Sequence, residues 1–403
     1  MKTRESKDPK NIVILDFVRI PHYKLQESPS VLSTSIVKSC LLTLFESNSQ
    51  LKENLDTILI SYAKKEAAPQ ISFEEIFKSL ELSKNITSKL SYYGEESTAK
   101  ALLSACNDIH YGLSHLMIMG GMEVSLSDTL TKKQSSQKSL NKYQQKLKKS
   151  IPELSYLGED AFSQILNFSF LEDWQKQAHD CGFSREALDA LVENCYRKTE
   201  EQALLSKESL IPLLTPEPNF YLLTQDQFRD HGKNREVLKK ACPILKGNFA
   251  NLTAYNISLA TDGSSFLILS SREKATAIGY RVLTQIIAYE NVTFSGPSSI
   301  KNFLEKEGLS PQEIDFFEVS EQSASHVLSC LKELDNPPLE KVNALGGGLA
   351  TGYASSAEPI SSMDRLRRAL ELYRGTFGLA VIQNSYNHLT VFLLKREELE
   401  DCS

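Results

Sequence analysis

Glu95 and Glu96 stand side by side immediately ahead of a helical pattern that runs from Ser97 to Tyr111. A carboxylate can serve as a nucleophile or as a general base, yet two acidic residues at a helix N-terminus are also what the helix dipole favours without any chemistry. A second candidate is the stretch Asn256-Ile257-Ser258 through Asp262-Gly263. Its side-chain oxygens suit either a ligand-facing loop or a turn closed by Asx-type hydrogen bonds. Thiol chemistry finds less support. Cys40, Cys106, Cys181, Cys195, Cys242, Cys330 and Cys402 make an odd count without paired short spacings, so neither a disulfide framework nor a zinc site is indicated. His326 and His388 are each the single histidine of their stretch, and a lone histidine is more often structural than catalytic.

The elements that must position these residues alternate in type. Asn11 to Val18 has the unbroken apolar pattern of a buried strand, ended by Arg19-Ile20-Pro21. Thr34 to Leu51 has helical spacing, Leu55 to Tyr62 is a further apolar run, and Leu113 to Met119 reads as a strand entering a turn at Gly120-Gly121-Met122-Glu123. Such alternation predicts an α/β fold with helices covering sheets. The pattern recurs later: Glu313 to Val319 echoes Leu55 to Ser61, and Phe377 to Ile382 echoes Leu113 to Met119, which predicts two similar halves.

A segment of different composition, Ser125 to Gly247, separates the halves. Within it, Thr131 to Ser150 carries seven lysines and no acidic residue, while Leu140, Tyr143, Leu147 and Ile151 fall at helical spacing. A basic amphipathic stretch of this kind suits a solvated helix or hairpin, or equally an anionic surface. Ser184 to Leu205 is a longer helical run. Across the chain, 41% hydrophobic and 24% charged residues in 403 are ordinary for a soluble globular protein of two or three domains. No apolar run approaches the roughly 18 residues of a membrane span, and Met1 to Lys10 is too polar to open a secretory signal. The expected location is therefore cytoplasmic. A net charge of −6 argues against general nucleic-acid binding.

Particular motifs narrow the class. Leu252-Thr253-Ala254-Tyr255-Asn256-Ile257-Ser258-Leu259-Ala260-Thr261-Asp262-Gly263-Ser264 is similar to the thiolase pattern Thr-Ala-x-Asn-x-Ser-x-x-x-Asp-Gly-Ala, and Glu273-Lys274-Ala275 and Ile278-Gly279-Tyr280 follow at the family's spacing. Counting back from Gly120-Gly121-Met122-Glu123, the stretch Glu95 to Leu102 resembles the thiolase segment Cys-x-Ser-Gly-x-x-Ala without a gap. Gly346-Gly347-Gly348-Leu349 is similar to the family's glycine approach to its site. The resemblance covers nearly the whole chain and, within the family, is strongest to the β-subunits of the fatty-acid β-oxidation trifunctional complex.

The resemblance implies a thiolase fold: two duplicated α/β halves in a layered αβαβα arrangement, with an inserted loop domain. On this reading residues 1–124 form the first half, completed by about 248–270, residues 125–247 form the loop domain, and residues 271–403 form the second half. It also implies a site. Thiolysis needs a thiolate nucleophile, a histidine that lowers the thiol's pKa, a second cysteine that moves the proton, and donors for two oxyanions. At the matching positions this chain carries Glu95 for the nucleophile and Ser320, in Ser320-Glu321-Gln322-Ser323, for the oxyanion residue. Tyr353, in Gly352-Tyr353-Ala354, stands for the histidine of Gly-His-Pro, and Gln383 stands for the second cysteine. No histidine lies between His326 and His388 and no cysteine between Cys330 and Cys402, so a local slip in register restores neither role.

The expectation is a thiolase-superfamily protein of acyl-CoA and fatty-acid metabolism that is catalytically degenerate and acts as a CoA-binding or structural subunit. The alternative is an active 3-ketoacyl-CoA thiolase or acetyl-CoA acyltransferase with a non-standard catalytic set, and a third reading uses Glu95 as a general base on a CoA ester. Ser258, with Asn256 beside it, is the expected contact for CoA or acyl-CoA. No metal and no other cofactor is expected. The resemblance further implies a homo-oligomer or a complex with a hydratase/dehydrogenase subunit, with peripheral membrane contact through 131–151.

Overall fold

The computed structural model describes residues 11–23, 33–62, 71–92, 97–124, 168–202, 209–214, 222–227, 235–245, 250–293, 299–385 and 388–397. Glu95 and the lysine-rich stretch 131–151 lie outside them. Eleven strands are described: β1 (Ile12–Arg19), β2 (Thr57–Tyr62), β3 (Thr87–Ser91), β4 (Leu116–Glu123), β5 (Leu213–Leu214), β6 (Leu222–Leu223), β7 (Gly263–Ser271), β8 (Thr284–Thr293), β9 (Phe316–Val319), β10 (Phe377–Ser385) and β11 (His388–Arg396). The helices are α1 (Ser33–Ser47), α2 (Leu51–Asn54), α3 (Phe73–Ser79), α4 (Ser97–His110), α5 (Phe168–Asp180), α6 (Arg185–Glu201), α7 (Arg235–Lys240), α8 (Arg272–Ala277), α9 (Ser299–Lys306), α10 (Ala324–Glu333), α11 (Gly348–Thr351) and α12 (Glu358–Leu372).

Nine strands are hydrogen-bonded in the order β3-β2-β4-β7-β1-β8-β11-β10-β9. The repeat expected from the sequence appears as topology: β2 runs parallel to β4 in the first half and β9 parallel to β10 in the second. The two sheets are not merely packed across a helical layer. β1 pairs antiparallel with β7 along its length and with β8 over Ile12 to Ile14, so one backbone ladder joins the halves.

Layering follows from the side-chain period. Along β1, Val13 and Leu15 face a core covered by α1 and α3, whereas Ile12 and Ile14 face a core shared with α4 and α12. Simple alternation would send Phe17 to the first core. Instead a bulge between Ile14 and Asp16 shifts the register against β7 by one residue, and Phe17 joins Ile12 and Ile14. Asp16 Oδ1 accepts the Phe17 N–H at 2.8 Å and closes the irregularity. The α4 residues Ala101, Leu102, Ala105, Cys106 and Ile109, at helical spacing, meet Ile360, Met363, Leu366 and Leu370 of α12 in that shared middle core. On the far side of the second half, α5, α6, α9 and α10 close a third core with β8 to β11. Helix, sheet, helix, sheet, helix is the expected order.

Two expectations need correction. The helix predicted over Thr34 to Leu51 is interrupted: α1 stops at Ser47, the Asn48 side chain accepts the Gln50 N–H at 2.8 Å, and α2 begins at Leu51. The glycine pair after Met119 is not a turn. β4 continues through Gly120 and Gly121 to Glu123, wholly buried. The glycines answer a need for space: a Cβ on Gly121 would sit 1.7 Å from the Ser356 carbonyl oxygen, and one on Gly120 would sit 2.2 Å from the Phe266 ring. Close approach, not backbone freedom, fixes these residues. Glu123 then accepts the Ser356 hydroxyl at 2.9 Å, tying the strand's end to the approach into α12.

Candidate functional site

Four segments far apart in sequence converge at the end of the second half. The loop from Asn256 to Asp262 crosses the segment after β9 through a bridge between Ile257 and Ser323, and crosses the segment after α11 through a bridge between Ala260 and Tyr353. Backbone hydrogen bonds lock these crossings: Ser258 N–H to Gln322 O at 2.9 Å, Ala324 N–H to Asn256 O at 2.9 Å and Tyr353 N–H to Leu259 O at 2.8 Å. Gly352 has φ +82°, a conformation open to glycine at little cost, and it turns the chain out of α11 into Tyr353.

Side chains from these segments form one polar cluster. Gln322 Nε2 donates to the Tyr353 hydroxyl at 3.2 Å and to the Gln383 carbonyl at 3.4 Å. The Gln383 N–H donates to Ser320 Oγ at 2.8 Å. Ser258 Oγ donates to the Glu321 carbonyl oxygen. Ser320, Tyr353 and Gln383 are all buried, and neither polar atom of the Gln383 side-chain amide has a partner among the described residues. Burial pushes the Tyr353 phenol well above its ordinary range, and nearby Glu358 adds to this, so it stays protonated as a neutral donor. Ser258, Ser320, Gln322, Tyr353 and Gln383 thus offer hydroxyls and amides, which can hydrogen-bond a carbonyl but supply no thiolate and no base active near neutrality.

Of the residues singled out from sequence, Ser258, Ser320, Tyr353 and Gln383 are brought together, and Glu95 is outside the described residues. Asn256 is placed differently. Its side chain is fully buried, with Oδ1 accepting from Thr253 N–H at 2.8 Å and Nδ2 donating to Asp189 at 3.1 Å and to Asn251 O at 3.0 Å. Asn256 therefore shapes the loop from within, and Ser258 is the partly exposed residue on its outer side. His326 is buried in α10 with Nε2 3.6 Å from Cys330 Sγ, and His388 opens β11 on the surface.

Sequence reasoning missed Gln322, the hub of the cluster, although it lies inside the Ser320 to Ser323 segment. It also missed Glu321. That carboxylate accepts from Cys195 Sγ at 2.9 Å, Asn343 Nδ2 at 2.7 Å and Leu349 N–H at 3.0 Å, binding α6 to the glycine turn. Burial, followed by the Glu321 charge, raises the Cys195 thiol well above its usual range, which makes it an inert hydrogen-bond donor. Nothing in the spacing links Cys195 to Glu321 across 126 positions.

The profile for the thiolase N-terminal domain matches residues 12–273, and that for the thiolase C-terminal domain matches residues 280–388. The mitochondrial trifunctional enzyme subunit beta of Bos taurus is 24% identical over 420 residues, covering 94% of this chain and 86% of the relative. An acetyl-CoA acetyltransferase of Yarrowia lipolytica is 27% identical over 309 residues, 74% of this chain and 75% of the relative. Among solved structures, human mitochondrial 3-ketoacyl-CoA thiolase in complex with CoA superposes with a TM-score of 0.77 at 15% identity, over 97% of this chain and 99% of that one. At that identity the likeness establishes the fold.

Proposed function

Because this chain belongs to the thiolase family, we propose that it binds coenzyme A thioesters in acyl-CoA metabolism and does so without forming a covalent acyl-enzyme. The observation that carries this reading is the Ser320, Gln322, Tyr353 and Gln383 cluster, where hydroxyls and amides, most of them buried, lie where the motif segments meet. A carbonyl can be held there by hydrogen bonds. Neither a phenol held protonated nor an amide is the thiolate that the family's reaction uses, which supports this reading.

The relatives support a second reading. The proteins that the chain matches are named as acyltransferases or as a subunit of a trifunctional enzyme, which favours an active 3-ketoacyl-CoA thiolase or acetyl-CoA acyltransferase with an unfamiliar catalytic set. Glu95 is then the residue to examine. Attack by an unactivated carboxylate on a thioester would form an anhydride uphill of the starting material, so general-base use of Glu95 is the better form of that idea.

Binding is tested by calorimetric titration with CoA and acetyl-CoA. Saturable heat is expected with each, weakened by Ser258→Leu, which places a branched apolar group on the outer side of the 256–262 loop. No heat and no competition at millimolar ligand would reduce the loop to a turn and the protein to a structural role.

The proposed partners rest on the likeness to the trifunctional subunit and on Thr131 to Ile151. Its lysines are each worth about 1 kcal/mol near an anionic lipid surface. Vesicle flotation with anionic lipid is expected to fail at high salt and after deletion of residues 131–150. The same deletion is to be assayed for recovery of a hydratase/dehydrogenase subunit, and unchanged flotation and recovery would remove the segment from the argument.

A further inference from the structure

Gln383 enters the Tyr353 cluster through its main chain and leaves its side chain over. The N–H is engaged with Ser320 Oγ at 2.8 Å and the carbonyl with Gln322 Nε2 at 3.4 Å. The side-chain amide is not: Nε2 and Oε1 both lack a partner among the described residues, in a residue that is 3% exposed. A buried donor or acceptor left unpaired costs stability, and native proteins keep such groups few. Two on one side chain point to a partner from outside the chain.

Strand alternation fixes the direction in which the amide faces. Leu379 and Val381 of β10 face the third core, Ala380 and Ile382 face the middle one, and the bulge in this strand comes only after Gln383. Gln383 therefore faces with Val381, toward the side where Ile257 and Leu259 pack from the loop that carries Ser258. Leu389, its cross-strand neighbour, faces the same way. Gly348 stands between Ser258 and Tyr353, where a Cβ would lie 3.3 Å from Ser258 Oγ and 3.1 Å from the Tyr353 ring. Glycine there keeps a side chain out of the space between the partly exposed serine and the buried cluster.

We propose that the Gln383 amide binds a hydroxyl on the acyl chain of a coenzyme A thioester, a few carbons from the thioester carbonyl. This rests on the reading that the chain binds such thioesters. An amide offers one donor and one acceptor side by side, and turning it over exchanges them without changing the pair. A hydroxyl answers both from a single oxygen, accepting from Nε2 and donating to Oε1. A keto oxygen can only accept, and a saturated chain does neither. The trans amides of the pantetheine arm hold N–H and C=O on opposite sides, so each can meet only one end. The short reach follows from Gln322, which bonds both the Tyr353 hydroxyl and the Gln383 carbonyl. A chain whose carbonyl meets that phenol needs its own hydroxyl only a few carbons on.

The full chain is titrated calorimetrically with each enantiomer of 3-hydroxybutyryl-CoA, with acetoacetyl-CoA and with butyryl-CoA, which differ only at the third acyl carbon. The better hydroxy enantiomer is expected to bind at least about tenfold more tightly than butyryl-CoA, with acetoacetyl-CoA between. A site built for a hydroxyl leaves its own polar groups unpaired against an analogue that lacks one. Gln383→Met keeps the length of the side chain and removes both polar atoms. It is expected to bring the affinities together and to raise the thermal midpoint of the unliganded protein. The titrations of the unaltered chain keep the test decisive if the variant does not fold. Equal affinities for all the thioesters overturn this inference and leave the CoA reading standing, whereas binding of none overturns both. Discrimination unchanged in Gln383→Met also overturns it, and a lowered midpoint there would show the amide bound to structural water instead.

Discussion

Incubated with acetoacetyl-CoA and free CoA, the purified protein is expected to release acetyl-CoA no faster than a blank. Thiolysis divides its labour among a nucleophile, a base that activates it, a proton carrier and oxyanion donors. On the proposed reading, Glu95, Tyr353, Gln383 and Ser320 stand at the positions that resemble those four. Loss of one oxyanion donor costs about 10² to 10³ in rate, and loss of an acid or base about 10² to 10⁴. These factors do not multiply when the groups act as a unit, but on that reading the covalent route lacks its thiolate and so its first step. Glu95→Cys is accordingly expected to leave the rate at background. Tyr353, at the position that resembles the activating histidine, is held protonated by burial, and Gln383 has an amide that cannot carry a proton, so neither family position would supply a base to raise the new thiol's thiolate fraction. Turnover of about 1 s⁻¹ or more in the unaltered protein, abolished by Glu95→Ala, would sink the degenerate reading and establish the acyltransferase one.

What the sequence makes legible here is whatever rests on local pattern. Apolar runs and helical spacing locate β1, β2, β4, β10, α4 and α6, and the motif residues mark three of the segments that meet at Tyr353. Features created by partners distant in the chain stay hidden. Gly120-Gly121 reads as a turn because glycine usually punctuates, whereas the requirement comes from the Phe266 ring and the Ser356 carbonyl. The phase change in β1 depends on the register against β7, which no local spacing reports. The residue type and motif at Asn256 fit a ligand contact. Its burial and its bond to Asp189 of α6 reveal a structural task that only the fold exposes.

Replacing Arg365 with methionine is expected to destabilise the fold by about 3 to 5 kcal/mol, measured by urea denaturation near pH 7. Arg365 is hydrogen-bonded to two buried carboxyl groups: Nε lies 2.5 Å from Glu318 Oε1, and Nη2 meets Glu358. Glu358 is fully buried and Glu318 nearly so. Burial pushes the Glu318 carboxyl up to about 8 against the pull of Arg365, with Glu358 and Glu321 adding to the rise. A folded-state value above the unfolded one means that the native state holds a proton that the unfolded chain releases. The Glu318 contribution is thus full below the ordinary carboxylate range and is lost as pH climbs through about 8. Asp364 works in the opposite sense. Burial opposes its ionisation, but Arg368 and Arg367 overcome this and hold it near 2, so its contribution is present above the ordinary value and fades as pH falls toward 2. Stability should therefore peak in the acidic range and decline as pH climbs to about 8. Glu318→Gln, which keeps a neutral hydrogen-bonding group beside Arg365, is expected to flatten the alkaline decline and leave the acid limb in place. A decline of the same slope in Glu318→Gln would assign the alkaline loss to another group, and full stability in Arg365→Met would mean that the two carboxyls do not need their cation.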